Sequence, residues 1–199
     1  LPKRTAHSNK GRYGKLLLIA GSEGMAGAAV FAAKAAYRLG CGLVRVATVD
    51  SNRAILQQLV PEAVLAVYND TTDVVKFVKT QLAWADAVAI GSGIGQSALA
   101  EKMTKTVIEQ NTKPCLFDAD ALNLISRNQE WLQLLETEPV FTPHLGEMSR
   151  LTGTSIAEIS KDLVGVASQY AQKNHVVMVL KDARTVTATE NRGCFLNLS

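Results

Sequence analysis

A chain of 199 residues, 47% apolar and 20% charged, is long enough to bury a substantial single core, and this composition excludes a disordered chain. Twenty-one basic residues against 18 acidic ones leave a net charge of +3. That excess is small and scattered, so neither nucleic acid nor a membrane surface is an expected partner.

The chain opens with a basic arm, Lys3, Arg4, Lys10, Arg12 and Lys15, interrupted by Gly11 and Gly14. It reads either as a solvated arm or as one that helps to hold an anionic ligand. The apolar run at 15–20, closed by Gly21 and Ser22, predicts a buried strand. An alanine-rich stretch, 26–39, predicts a helix that ends at Gly40 and lies close on a sheet. A strand at 43–48 follows, then a helix through Leu59 capped by Asp50 or Ser51.

The alternation continues, with strands predicted at 64–67, 87–90, 115–117 and around Val140. Helices are predicted at 73–82, 98–109, after Asp118, around Glu147 and over 156–173. The last part changes character: 176–180, 185–188 and 194–196 are strand-like with little room for helices between them. Strands separated by helices of about a dozen residues predict right-handed crossovers and a mainly parallel sheet, with the final strands antiparallel at one edge. The expected fold is one three-layer α/β/α domain over residues 1–199, and ligands of such sheets sit outside the carboxyl ends of the strands.

Cys41, Cys115 and Cys194 are far apart in apolar settings, so buried free thiols are expected, as in a reducing cytosol. His7, His144 and His175 have no metal-ligand spacing, so no structural zinc site is expected. No apolar run approaches the roughly 18 residues of a membrane-spanning helix and no secretory signal opens the chain, which predicts a cytoplasmic protein.

Four stretches follow predicted strands and could face one crevice, and a fifth feature lies at the end of another strand. "AGSEGMAGAA" (20–29) offers glycines for a tight loop and a helix start with free N–H groups for an anion, without the Gly-Lys-Ser/Thr of a Walker loop. "IGSGIG" (90–95) is a weaker signal, because the dinucleotide fingerprint also needs a glycine deeper in the helix and a later acidic residue. "FDADALN" (117–123) places Asp118 and Asp120 at a strand end before a helix. Either could cap it, Asp120 being the favoured cap, or the pair could hold Mg²⁺ through water. In "VFTPHLGEMSRLTG" (140–153), Pro143 stops the strand from pairing on, Thr142 and His144 lie at its mouth, and Glu147 sits in a first helical turn, where its charge is favourable. "LKDART" (180–185) puts Lys181 and Arg184 at a strand end, suited to a phosphate or to a solvated turn.

Taken together, "HSNKGRYG", "AGSEGMAGAA", "GSGIG", "DADALN", "TPHLGEMSRLTG" and "LKDART" resemble, in order and over almost the whole chain, the ADP/ATP-dependent NAD(P)H-hydrate dehydratases, which have a ribokinase-like fold. The resemblance implies a repair reaction. A hydrated NADH or NADPH is phosphorylated on its new hydroxyl from ADP or ATP, with Mg²⁺, and loss of phosphate restores the ring. It implies that Gly27, Ala28, Gly95 and His144, with Asp118 and Asn123, contact the hydrate. Lys181, Asp182, Ala183, Arg184 and Thr185 contact the adenine nucleotide, and Glu147 lies on the metal and phosphate side. A homo-oligomer is also implied.

Three departures stand out. His7 is separated from Lys10-Gly11, where the family has His-Lys-Gly together, and Asp182 replaces a glycine. The family's Gly-x-Gly-Asp segment, which supplies an anion hole and the catalytic Asp, occurs nowhere in the 199 residues. The catalytic Asp is therefore expected beyond Ser199, and this chain alone is expected to lack it. The alternatives are a small-molecule kinase of the same fold, of the hydroxymethylpyrimidine or hydroxyethylthiazole type, and a non-catalytic nucleotide-binding module.

Overall fold

The computed structural model describes residues 7–191 and 193–197, so Lys3 and Arg4 of the basic arm lie outside the described residues. Among the described residues nine strands form one sheet. They are β1 (Lys15–Ile19), β2 (Leu43–Val49), β3 (Val64–Tyr68), β4 (Ala87–Ile90), β5 (Cys115–Phe117), β6 (Val140–Phe141), β7 (Val177–Leu180), β8 (Thr185–Thr189) and β9 (Gly193–Asn197). Their order across the sheet is β3-β2-β1-β4-β5-β6-β7-β8-β9. Every pairing from β3 to β7 is parallel, because a helix carries the chain back between consecutive strands. Only a short turn separates β7 from β8, too short for a crossover, so β7–β8 and β8–β9 pair antiparallel.

The helices are α1 (Ala26–Arg38), α2 (Arg53–Leu59), α3 (Val74–Trp84), α4 (Ala98–Gln110), α5 (Ala119–Arg127), α6 (Leu145–Thr152), α7 (Ile156–Ile159) and α8 (Leu163–Asn174). Alternation along β1 divides the core. Leu18 and Ala20 join α1 and α2 in one apolar cluster, whereas Leu17 and Ile19 join the cluster that includes α3 to α8. Ala29, Ala33 and Ala36 are buried along α1, and such small side chains allow its backbone to approach the sheet closely. The three-layer arrangement with an antiparallel edge is the one expected. Among the described residues no helix is long and apolar enough to cross a membrane.

Local chemistry moved several boundaries. The single helix expected over 156–173 is broken, because Asp162 Oδ1 accepts from the Gly165 N–H (2.8 Å) and starts α8 afresh, while Ser155 and Glu158 form a capping box on α7. Neither Asp50 nor Ser51 caps α2. Residues 50–52 form a 3₁₀ turn, and the Asp50 carboxylate takes Nε and Nη2 of Arg53 instead. A further 3₁₀ helix, Gln129–Leu134, gave no periodic signal and is anchored by buried Trp131. Of the thiols, Cys115 is buried, and burial pushes it up to about 12, whereas Cys41 is only half-buried and Cys194 is exposed. The expectation of three buried thiols thus holds fully at Cys115 alone, and it fails outright at Cys194 because β9 is the outer edge strand and exposed along its length.

Two glycines in the strand-end loops make opposite demands. Gly91 has φ +129°, and a Cβ there would lie 1.8 Å from the Asp118 carbonyl oxygen. Gly24 has φ +77° but nothing within 4 Å of a Cβ. Gly91→Ala is expected to cost about 3 kcal/mol or more, since backbone must shift, and Gly24→Ala only about 1 kcal/mol for its dihedral. Denaturant unfolding of the two variants measures the difference, and equal costs would contradict the close approach.

Candidate active site

The carboxyl ends of β1, β4, β5, β6 and β7 lie side by side in the sheet and carry the five stretches singled out from the sequence. The first two are joined by backbone. Gly21 N–H donates to Ser92 O (3.0 Å) and Ser22 N–H to Gly93 O (2.6 Å). A Cβ on Gly93, where φ is +67°, would come 2.9 Å from Ala28 Cβ, so glycine is what lets the loops touch. On the far side, Thr48 Oγ1 donates to Gly21 O (2.8 Å) and Asn52 Nδ2 to Ser22 O (3.1 Å). Gly27 and Ala28 stand in the first turn of α1, whose N-cap position is Met25 and receives no side-chain cap. The Ala28 N–H turns back to Met25 O (3.2 Å), and this end of α1 carries the positive end of the helix dipole.

Asp118, at the end of β5, ties four strand ends together. Its Oδ1 accepts from Lys181 Nζ (2.9 Å) and Thr142 Oγ1 (2.8 Å), and its Oδ2 accepts from Ser92 Oγ (3.0 Å). Burial pushes this carboxyl up, but the Lys181 ammonium and the Thr142 and Ser92 hydroxyls outweigh it and hold it below its ordinary value. The junction is strained: Ala119, the next residue, has φ +48° although it carries a Cβ. Asp120 does not cap α5. Its carboxylate accepts from Gly95 N–H (2.9 Å), because the N-cap position belongs to Asp118.

His144 is the N-cap residue of α6. Its Nδ1 accepts from the N–H groups of Gly146 (2.9 Å) and Glu147 (3.3 Å), and its Nε2 lies 3.2 Å from Glu147 Oε1. Glu147 Oε2 in turn accepts from His144 N–H (2.8 Å), which completes a capping box around a buried carboxylate. An accepting Nδ1 places the ring proton of a neutral imidazole on Nε2. A Cβ on Gly146 would sit 2.8 Å from His144 Cε1, so the ring needs glycine beneath it. The ring is about half exposed, at 54%.

The remaining residues divide. Lys181 is bonded through its backbone to Pro143 O (2.8 Å), lies in register with His144, and reaches back to Asp118. Asp182, Ala183 and Arg184 form the exposed turn beyond it, before Thr185 opens β8. Asn123, buried on α5, accepts from Arg150 Nε of α6 (2.7 Å) and braces the two helices. Among the described residues no cluster of three or more His, Cys, Asp or Glu could hold a metal ion. Asp120, Ser92, Thr142 and Arg150 are polar participants to which sequence reasoning assigned no such contacts.

Size alone would nominate a different place. A cavity of about 810 Å³ opens among Arg12, Tyr13, Lys15, Tyr37, Leu39 and Ala87, at the amino ends of β1 and β4. It is largely apolar, and the candidate residues that line it are Arg12 and Lys15 of the basic arm, none of them from the strand-end stretches. The converging polar groups, not the larger hollow, mark the candidate site. The described part of the basic arm lies at this opposite end of the sheet, away from the glycine loops, so it does not reach an anion bound there.

Because its folded carboxyl is depressed, Asp118 adds stability that is full above the ordinary carboxylate value, about 3.9, and is lost as pH falls through the lower folded value. Asp118→Asn is expected to cost about 1–2 kcal/mol near neutrality. That deficit should shrink once the pH drops below about 4. Urea unfolding of both proteins across this range checks it, and a pH-independent deficit would contradict the assignment.

The model of the family described as NAD(P)H-hydrate dehydratase matches residues 16–199. The chain is 43% identical, over 94% of its length, to the bifunctional NAD(P)H-hydrate repair enzyme of Escherichia coli, of which it covers 35%. It is 37% identical, over 97% of its length, to 67% of the ADP-dependent (S)-NAD(P)H-hydrate dehydratase of Lactiplantibacillus plantarum. The crystal structure of the Bacillus subtilis ADP/ATP-dependent dehydratase, co-crystallised with ATP and Mg²⁺, superposes with a TM-score of 0.81 at 30% identity, covering 100% of this chain and 69% of that one. This chain thus spans about a third of the bifunctional relatives and about two thirds of the single-function ones. By sequence and by fold, it belongs to the NAD(P)H-hydrate dehydratase family.

Proposed function

We propose that this chain serves ADP- or ATP-dependent dehydration of hydrated NADH or NADPH. The hydroxyl of the hydrate takes a phosphoryl group from the nucleotide, and loss of phosphate with a neighbouring ring proton restores the reduced ring. The observation that carries the reading is the Lys181–Asp118 contact of 2.9 Å. It joins the turn proposed for the nucleotide to the strand ends proposed for the hydrate, so donor and acceptor would meet across it.

On this reading Gly27, Ala28 and Gly95 admit the hydrate close to backbone, and the uncapped start of α1 favours its anionic groups. His144 presents its half-exposed ring edge, held in one orientation by Glu147, while Asn123 braces α5 against α6 beside it. Residues 182–185 receive the nucleotide, with Lys181 and Arg184 as its cations. An ammonium bonded once to Asp118 retains further donors for phosphate oxygens.

Magnesium fits the described residues poorly as a resident ion. Of its candidate ligands, Glu147 is buried, with Oε2 taken by the His144 N–H and Oε1 3.2 Å from His144 Nε2, while the Asp118 and Asp120 carboxylates already accept from Lys181, Thr142, Ser92 and Gly95. Glu147 acts on this reading by orienting His144, and Mg²⁺ is carried by the nucleotide phosphates, whose charge it offsets.

Because the 199 residues lack the Gly-x-Gly-Asp segment, the test is to take a protein that carries this chain together with that segment, to mix it with hydrated NADH, Mg²⁺ and either ADP or ATP, and to follow the near-ultraviolet absorbance of reduced nicotinamide. The expected result is recovery that requires nucleotide and releases free phosphate. A phosphorylated product without recovery would replace this reading with a kinase. Folded protein that binds nucleotide and does neither would leave a binding module.

A further inference from the structure

The loop that carries Gly95 is poorly suited to hold its own shape. Gly91, Gly93 and Gly95 all have positive φ, and glycine loses more conformational freedom on ordering than any other residue. The first half of the loop is fastened by Gly21 and Ser22 through the backbone bonds to Ser92 and Gly93. The second half lacks that support: Ile94 N–H reaches Gly91 O at a long 3.3 Å. What fixes it is Asp120. Oδ2 accepts from Gly95 N–H at 2.9 Å, Oδ1 lies 3.4 Å from Gln96 Nε2, and the Asp120 N–H points to Gly91 O at 3.3 Å. A backbone amide donating to a carboxylate makes a charge-assisted bond, stronger than the neutral bonds around it. Asp120 is itself rooted in the first turn of α5, whose Ala121 and Leu122 are fully buried, so the anchor is rigid where the loop is not.

We infer that Asp120 is a positioning residue for hydrate recognition: it holds Gly95 beside Ser22, whose Oγ lies 3.8 Å from where a Gly95 Cβ would stand, so that the two glycine loops present one preformed surface to the hydrate. This rests on the reading of that surface as the hydrate side of the site. Asp120 makes no contact with the nucleotide turn at 182–184 among the described bonds, so its effect should be confined to one substrate.

The experiment uses the chain together with the Gly-x-Gly-Asp segment and compares the unmodified chain with Asp120→Ala and Asp120→Asn, by amide hydrogen exchange at Gly95 and by KM for hydrated NADH and for ADP. In Asp120→Ala, Gly95 exchange should accelerate and the hydrate KM should rise, each by about tenfold, while the ADP KM stays within about twofold. Asp120→Asn retains an acceptor oxygen and should recover most of both effects. Unchanged Gly95 exchange would overturn the inference. So would a parallel rise in both KM values, or an Asn variant no better than Ala. If the unmodified chain shows no turnover, the proposed function has failed, and Gly95 exchange alone then decides whether Asp120 positions the loop.

Discussion

A single carboxylate holds the working end of this molecule together. A parallel sheet delivers its strands' carboxyl ends in a row but supplies nothing to bind the loops that follow to one another. Asp118, at the end of β5, takes Ser92 from the end of β4, Thr142 from the end of β6 and Lys181 from the end of β7. It stands where burial opposes its charge, and the opposing groups are strong enough to keep it ionised. Losing it would leave an ammonium and two hydroxyls to find other partners in a partly desolvated place, which is why the cost is expected to exceed that of an exposed ion pair.

Around that tie, close approach of backbones does the rest. The loops after β1 and β4 share two backbone hydrogen bonds, and Gly91, Gly93 and Gly146 each stand where a Cβ would meet a neighbour at under 3 Å. His144 follows the same logic on the other side. Its ring caps α6, its partner Glu147 closes the box, and the ring is therefore held in place before any ligand arrives. A site assembled from short, mutually braced loops loses little further freedom on binding.

Much of this was legible in the chain. Strand and helix order followed from apolar runs separated by stretches of helical length, and the antiparallel edge followed from the lack of room for a helix after Leu180. The helix-start role of Glu147 was readable because its partner lies three residues away. The partners of Asp118 were not, since Thr142, Ser92 and Lys181 are 24, 26 and 63 residues distant in sequence. For the same reason Asp120 looked like a helix cap: local pattern offers that role to any aspartate before a helix, and only the fold brings Gly95 to it. The break at Asp162 reflects a cap competing with a periodic apolar pattern that runs through it.

Membership of the hydrate dehydratase family gives this geometry its meaning, and the Asp118–Lys181 pair is where the proposed donor and acceptor sides touch. A double-mutant cycle with Asp118→Asn, Lys181→Met and the double variant, read by urea unfolding near neutrality, tests that link most directly. The account predicts a coupling of about 1 kcal/mol or more, because the pair is partly shielded from water. Additive effects, with no coupling, would show that the two strand ends are held independently and would remove the contact on which the site is built.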